Sequence, residues 1–150
     1  KLPVSAQDCS DAMLEMARNG ASINDLKTEF PKIAEAASVA GEDMSSVATT
    51  VQQAMNIWGG GAKNAAKDSA VLALNANKSS ASVSDMGQVF ANVGTSAKTL
   101  GLSVVDVSTA TGIMSNSGLQ AAQGSQDLNY ALTKMVKPTA SQAAEMKKLG

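Results

Sequence analysis

Apolar residues recur along this chain at spacings of three and four, with polar residues filling the positions between them. Ile23, Leu26, Phe30, Ile33, Ala37 and Ala40 form one such stripe, and Val83, Met86, Phe90, Val93, Ala97 and Leu100 form another. Met44, Val47, Val51, Ala54 and Trp58 make a third, and Val104, Val107, Thr111 and Met114 a fourth. That period belongs to α-helices that bury one face. No segment alternates with a period of two, so no strand is predicted.

The polar residues at the stripe boundaries act as punctuation. Ser5-x-x-Asp8, Ser22-x-x-Asp25, Ser82-x-x-Asp85, Ser103-x-x-Asp106 and Thr139-x-x-Gln142 all resemble capping boxes. In each, a hydroxyl accepts from an orphan amide of the first turn while the later side chain reaches back to the cap. Gly20, Gly41, Gly59, Gly101, Gly118 and Gly150 stand where a left-handed residue would end each helix. Together these signals predict helices over 5–19, 22–40, 43–58, 63–77, 82–100, 103–116, 125–136 and 139–149.

The punctuation also repeats. Ala21-Ser22-Ile23-Asn24-Asp25-Leu26 reads again as Ala81-Ser82-Val83-Ser84-Asp85-Met86, an offset of 60 residues without a gap. Phe30 then meets Phe90, Ile33 meets Val93, Gly41 meets Gly101 and Val47 meets Val107, while Leu14 already meets Leu74. The expected fold is therefore all-α: a compact multi-helix bundle in a single domain over 1–150, built from two diverged helical repeats at about 4–60 and 64–118. A helical hairpin at about 125–149 completes it. Only two copies fit, so an open-ended solenoid is not expected. Pro31 interrupts the second helix where its counterpart is Ala91. It removes a hydrogen bond and crowds the preceding turn, so a kink or break is expected near Phe30.

Composition narrows the chemistry. The 12 basic and 13 acidic residues are dispersed and leave a net charge of −1, so no basic stripe exists to track nucleic acid or an anionic membrane. Aromatic residues are confined to Phe30, Trp58, Phe90 and Tyr130, whereas alanine occurs 26 times and methionine 8 times. Small and straight-chain apolar residues favour helices that approach closely and repack readily. No run approaches the roughly 20 apolar residues of a membrane span, and no signal-peptide pattern opens the chain. The start at Lys1 and the stop just after a helical segment suggest a fragment of a longer chain.

No histidine is present, which removes the commonest general base and metal ligand. Cys9 is the single cysteine; it shares a helical face with Ala6, Met13 and Met16 and reads as a small buried hydrophobe. Gly59-Gly60-Gly61-Ala62-Lys63 superficially resembles a phosphate loop but lacks its spacing and a preceding strand, so it reads as a linker. Trp58-Gly59-Gly60 fits the W-x-G turn of small secreted helical hairpins, yet helices flank it on both sides, and Trp58 reads as a core anchor. Lys134, Lys137, Lys147 and Lys148 are the densest cations, explained by solvation and by the helix dipole. No catalytic, cofactor-binding or metal-binding residue is predicted, and an enzyme is not expected.

Longer stretches resemble a known family. Leu2-Pro3-Val4-Ser5 leading into Ala12-Met13-Leu14-Glu15-Met16-Ala17-Arg18-Asn19-Gly20 is similar to the start of the conserved core of phage tail tape measure proteins of the TP901 type. Ala40-Gly41-Glu42-Asp43-Met44 through Ala54-Met55-Asn56-Ile57-Trp58-Gly59 resembles the next segment, as does Ala97-Lys98-Thr99-Leu100-Gly101-Leu102-Ser103. The stretch from Ala131-Leu132-Thr133-Lys134-Met135-Val136-Lys137-Pro138-Thr139 to Lys147-Lys148-Leu149-Gly150 resembles that family's most recognisable signature. Ser115 to Gln120 departs from it, being more polar than the family's apolar helix end.

The resemblance implies a structural protein of the virion, made in the host cytoplasm and housed in the tail lumen. Such a protein sets tail length during assembly and leaves during DNA delivery, assisting genome passage through the host envelope. Its implied partners are the tail tube, other tail proteins, tail assembly chaperones and, once ejected, the host envelope. Neither sequence-specific nucleic-acid binding nor a cofactor is implied. Helix seams also leave self-association open. A generic helical-repeat interaction module or a secreted helical-hairpin protein is the alternative. The frequent glycine stops favour a segment that folds back on itself, hence a terminal or docking domain rather than the ruler itself.

Overall fold

The computed structural model describes residues 5–60 and 62–149, and of Ala62 and Lys63 only the backbone. Among them the chain forms α1 (Ala6–Arg18), α2 (Ile23–Ala40), α3 (Met44–Trp58), α4 (Ala62–Lys78), α5 (Val83–Thr99), α6 (Val104–Asn116), α7 (Ala121–Val136) and α8 (Ala140–Leu149), with no strand. The starts follow local chemistry. Reciprocal capping boxes close α1, α2, α5 and α6 through Ser5/Asp8, Ser22/Asp25, Ser82/Asp85 and Ser103/Asp106. Thr139 and Gln142 bond in the same way before α8, and Asp43 accepts from the Ser46 amide at 2.8 Å to start α3. Gly20, Gly41, Gly59, Gly101 and Gly118 adopt positive φ at the stops. Gly150, also expected to be a stop, lies outside the described residues.

From α1 to α7, connections of three or four residues turn consecutive helices back on one another, so that they run antiparallel. The closer packing lies between helices two apart in sequence. α1, α3, α5 and α7 pack side by side in one layer, and α2, α4 and α6 in the other. Within a layer the helices run parallel. Gly87 lies against Thr50 and, a step of seven residues along both helices, Gly94 lies against Ile57. Asn92 donates to Ser125 Oγ at 2.8 Å and Ser96 to Asn129 at 3.2 Å, stepping together along α5 and α7. In the second layer, Asn77 donates to the Val39 carbonyl at 3.1 Å, and the Ser80 amide to Asn116 at 2.8 Å.

The core fills the space between the layers. α5 is its centre, flanked by α3 and α7, and it buries Val83, Met86, Val89, Phe90, Val93 and Ala97. Phe90 is the largest fully buried side chain, and Trp58 meets its ring edge-on with centroids 5.2 Å apart. Ser69, Ser108 and Thr111, also buried, satisfy their hydroxyls on the carbonyl four residues earlier.

The all-α bundle expected from the stripes is the fold observed, with four differences in detail. First, α2 runs unbroken through Pro31, so the break expected near Phe30 is absent. Pro31 and Lys27 lie on the exposed side, where water can serve the Lys27 carbonyl that the proline leaves without a donor. Ile33, Ala34, Ala36 and Ala37 hold the opposite face in the core. Second, the buried face of α2 keeps Leu26, Phe30, Ile33, Ala37 and Ala40 in or against the core but leaves Ile23 74% exposed and also takes in Glu29. Third, α7 begins at Ala121 rather than near 125. Fourth, α8 buries no residue and packs on no other helix, so the C-terminal hairpin does not close.

The layers also bear on the expectation against an open stack. Helices matched by the 60-residue offset (α1 with α4, α2 with α5, α3 with α6) fall in opposite layers, because the offset spans three helices and the layers alternate. α2 with α4 and α3 with α5 bridge 59–61 as continuous layers. The arrangement is a short stack with two open ends. Its accessible surface of 8192 Å² exceeds the roughly 7,100 Å² of a typical compact chain of this mass, consistent with an undocked α8.

Candidate interaction surfaces

The two layers present different outer faces. Where α1, α3 and α5 meet, a shallow groove is lined by Arg18, Thr49, Thr50, Gln53, Gly87 and Gln88 among others. Its hydroxyls and amides suit polar contacts. Thr50 Oγ1 is engaged beneath it, donating to the Val83 carbonyl at 3.3 Å. Gly87 keeps that approach possible, since a Cβ there would stand 2.7 Å from Thr50 Oγ1. Arg18 at the rim pairs with Glu15 at 2.6 Å.

The opposite face carries an apolar groove between α2 and α4. Ala36, Ala70 and Ala73 line it, Val39 and Leu74 stand exposed beside it, and the Lys32–Glu35 pair at 3.1 Å marks its edge. A small-residue floor between parallel helices is a shape that accepts a ridge of side chains from another helix.

The residues singled out in the sequence do not converge. Cys9 is half-buried and packs against the core from α1. Lys134 lies 5.2 Å over the Tyr130 ring, Lys137 caps α7, and Lys148 pairs with Glu145 at 2.5 Å on α8. Gly59 ends α3 and Gly60 follows it towards α4, while Gly61 and the side chain of Lys63 lie outside the described residues. Trp58 does more than close the first three helices. Its Nε1 donates to the Leu102 carbonyl at 2.7 Å, tying the end of α3 to the turn between α5 and α6. Among the described residues, no group of His, Cys, Asp and Glu could hold a metal ion, and no helix is long and apolar enough to cross a membrane.

Sequence reasoning missed two buried carboxyls. Glu29 is 0% exposed. Its Oε2 accepts from Gln52 Nε2 at 3.2 Å, and its Oε1 has no partner. Burial pushes its carboxyl above the usual range, the Asp25 charge one turn earlier adds to that, and the Gln52 hydrogen bond opposes it. Asp68, buried on α4 near Trp58 and the start of α6, is raised by burial against the pull of Lys67. Asp25 and Asp106 go the other way, held low by hydrogen bonds from the Ser22 and Ser103 side chains and then from those residues' backbone amides. The only sequence signal for Glu29 is its place one turn before Ile33.

Neither face has the converging nucleophile, base and oxyanion donors of a reaction centre; both suit packing against other proteins. Known proteins agree with such a role. Over 150 residues the chain is 27% identical to the tape measure protein of Pneumococcus phage Dp-1, an alignment covering 100% of this chain and 13% of that relative. The chain thus spans a small part of the relative's length. No solved structure matches it. The model of one family, described as phage-related minor tail protein, matches residues 1–150. Since that match takes in every helix of the stack, the chain belongs to the phage-related minor tail protein family.

Proposed function

We propose that this chain is a folded segment of a tape measure protein, of the TP901 type, that docks within the tail rather than measuring it. The observation that carries the reading is the similarity over all 150 residues to a tape measure protein together with a helix path that doubles back from α1 to α7. A ruler gains about 1.5 Å per helical residue only when its helices run on end to end. Here the helices lie side by side in two layers, and their length is spent on packing.

In this reading the parent protein is made in the host cytoplasm, assembles with tail assembly chaperones and the tail tube, and occupies the tail lumen. It sets tail length through other, extended parts, and on ejection it assists genome passage through the host envelope. The role of this segment is structural, with the apolar groove between α2 and α4 as its docking face for tail proteins. An in-frame deletion of residues 1–150 in the producing phage tests this. Either an absence of tails, from failed initiation, or tails of unchanged length that fail in DNA delivery is expected. Tails shortened by about 225 Å would make the segment part of the ruler and overturn the reading.

A further inference from the structure

We propose that the buried Glu29–Gln52 pair is a pH-responsive fastener between α2 and α3, closed while the Glu29 carboxyl is neutral and loosened when it ionises. The inference rests on the packing of this chain and is independent of its place in a tail.

Glu29 is fully enclosed, yet its carboxyl meets one donor, Gln52 Nε2 at 3.2 Å, and leaves Oε1 without a partner. A carboxylate so placed would be a buried charge, which protein interiors tolerate only when it is paired. The charges on the surrounding helices do not pair it. On α2 itself, Asp25 raises its proton affinity, Lys27 is exposed, and Lys32 binds Glu35. On α1, Asp11, Glu15 and Arg18 line the outer groove, and Asp8 stands beside Gly41 and Glu42 at the far end of α2. Between Met44 and Trp58, α3 carries no charged residue. On α4, Lys67 and Asp68 face the start of α6, Lys78 ends the helix, and the side chain of Lys63 lies outside the described residues.

The neutral acid is therefore the form that fits. A proton on the carboxyl removes the buried charge and leaves a single weak hydrogen-bonding defect, a much smaller penalty. The sign follows. Because the folded proton affinity is raised above the ordinary glutamate value of 4.5, the stability linked to Glu29 is full below that pH and is lost as pH rises through the folded midpoint. Over that window each pH unit multiplies the unfolding constant by up to about tenfold. The loss falls on α2 and α3, the helices that the pair joins.

The test is urea unfolding of the 150-residue chain from about pH 4 to about pH 8, with Glu29→Gln and Asp68→Asn alongside. Glu29→Gln keeps the shape and supplies an uncharged amide. The unfolding constant of the unaltered chain should rise with pH relative to that of Glu29→Gln, by up to about tenfold for each pH unit of the window. Asp68→Asn should leave that difference in place, since it removes only the other buried carboxyl. Amide exchange, corrected for its intrinsic pH dependence, should accelerate in α2 and α3 of the unaltered chain and not in Glu29→Gln. Parallel stability profiles for the two chains would overturn the proposal. Should Glu29→Gln fail to fold, NMR titration of the Glu29 carboxyl in the unaltered chain decides: a midpoint above 4.5 supports the fastener, and one at or below 4.5 overturns it.

Discussion

Gly94→Ala probes a close approach between α3 and α5. Gly94 lies in the middle of α5, where alanine would ordinarily stabilise the helix by about 1 kcal/mol. In this fold the added methyl would stand 2.7 Å from Ile57 Cδ1 and 3.0 Å from its Cγ2, about 1 Å inside the usual carbon–carbon optimum. Ile57 is half-buried on α3 and α5 is held by α7 on its other side, so neither yields freely. Overpacking of this kind costs about 1–3 kcal/mol, which outweighs the propensity gain and leaves the variant destabilised by about 1 kcal/mol. Removing the obstacle should reverse the sign. In an Ile57→Ala background the same substitution should stabilise by about 1 kcal/mol, a coupling of about 1–3 kcal/mol between the two sites. Urea unfolding followed by helical circular dichroism gives the four corners of the cycle, and Trp58, the only tryptophan, gives an independent fluorescence readout. Coupling below about 0.5 kcal/mol, or stabilisation by Gly94→Ala alone, would refute the close parallel approach of α3 and α5.

Other perturbations have equally definite outcomes. Trp58→Phe keeps a ring against Phe90 but strips the Leu102 carbonyl of its donor, and should cost about 1–2 kcal/mol in urea unfolding. Phe90→Ala empties the centre of α5 and should cost about 3–5 kcal/mol. Asp25 and Asp106 have folded proton affinities below the ordinary aspartate value of 3.8, so their contribution is present above that pH and lost as pH falls through the lower folded midpoint. Ser22→Ala and Ser103→Ala should each flatten that acid limb in an acid titration of helicity. Truncation after Val136 removes α8, which buries nothing, and should change the unfolding free energy by no more than about 0.5 kcal/mol.

Helix starts were legible because capping is local: Ser22 and Asp25 carry their own signal within four residues, whatever packs above them. The start of α7 was not, because Gln120 makes no side-chain cap and Gly124 reads as a breaker. Its role is a close approach instead, since a Cβ there would stand 3.2 Å from Met114 Sδ. The stripe on α5 was legible because α5 is surrounded, and a buried helix shows its whole apolar face. The stripe on α2 was legible from Leu26 to Ala40, which lie in or against the core, and failed only at Ile23 in the first turn, 74% exposed. Pro31 was expected to break a helix that solvent lets it keep, and the burial of Glu29 has no signal of its own in the sequence. The alternation of layers is set by contacts far apart in sequence, which no local pattern encodes.

The claim that this tail-protein segment folds into a two-layer stack rather than extending as a rod is open to one direct measurement, small-angle X-ray scattering from the isolated 150-residue chain. A radius of gyration near 15 Å is the expected result. A continuous helical rod of the same length would give about 65 Å, and a value approaching it would contradict the fold and the docking role built upon it.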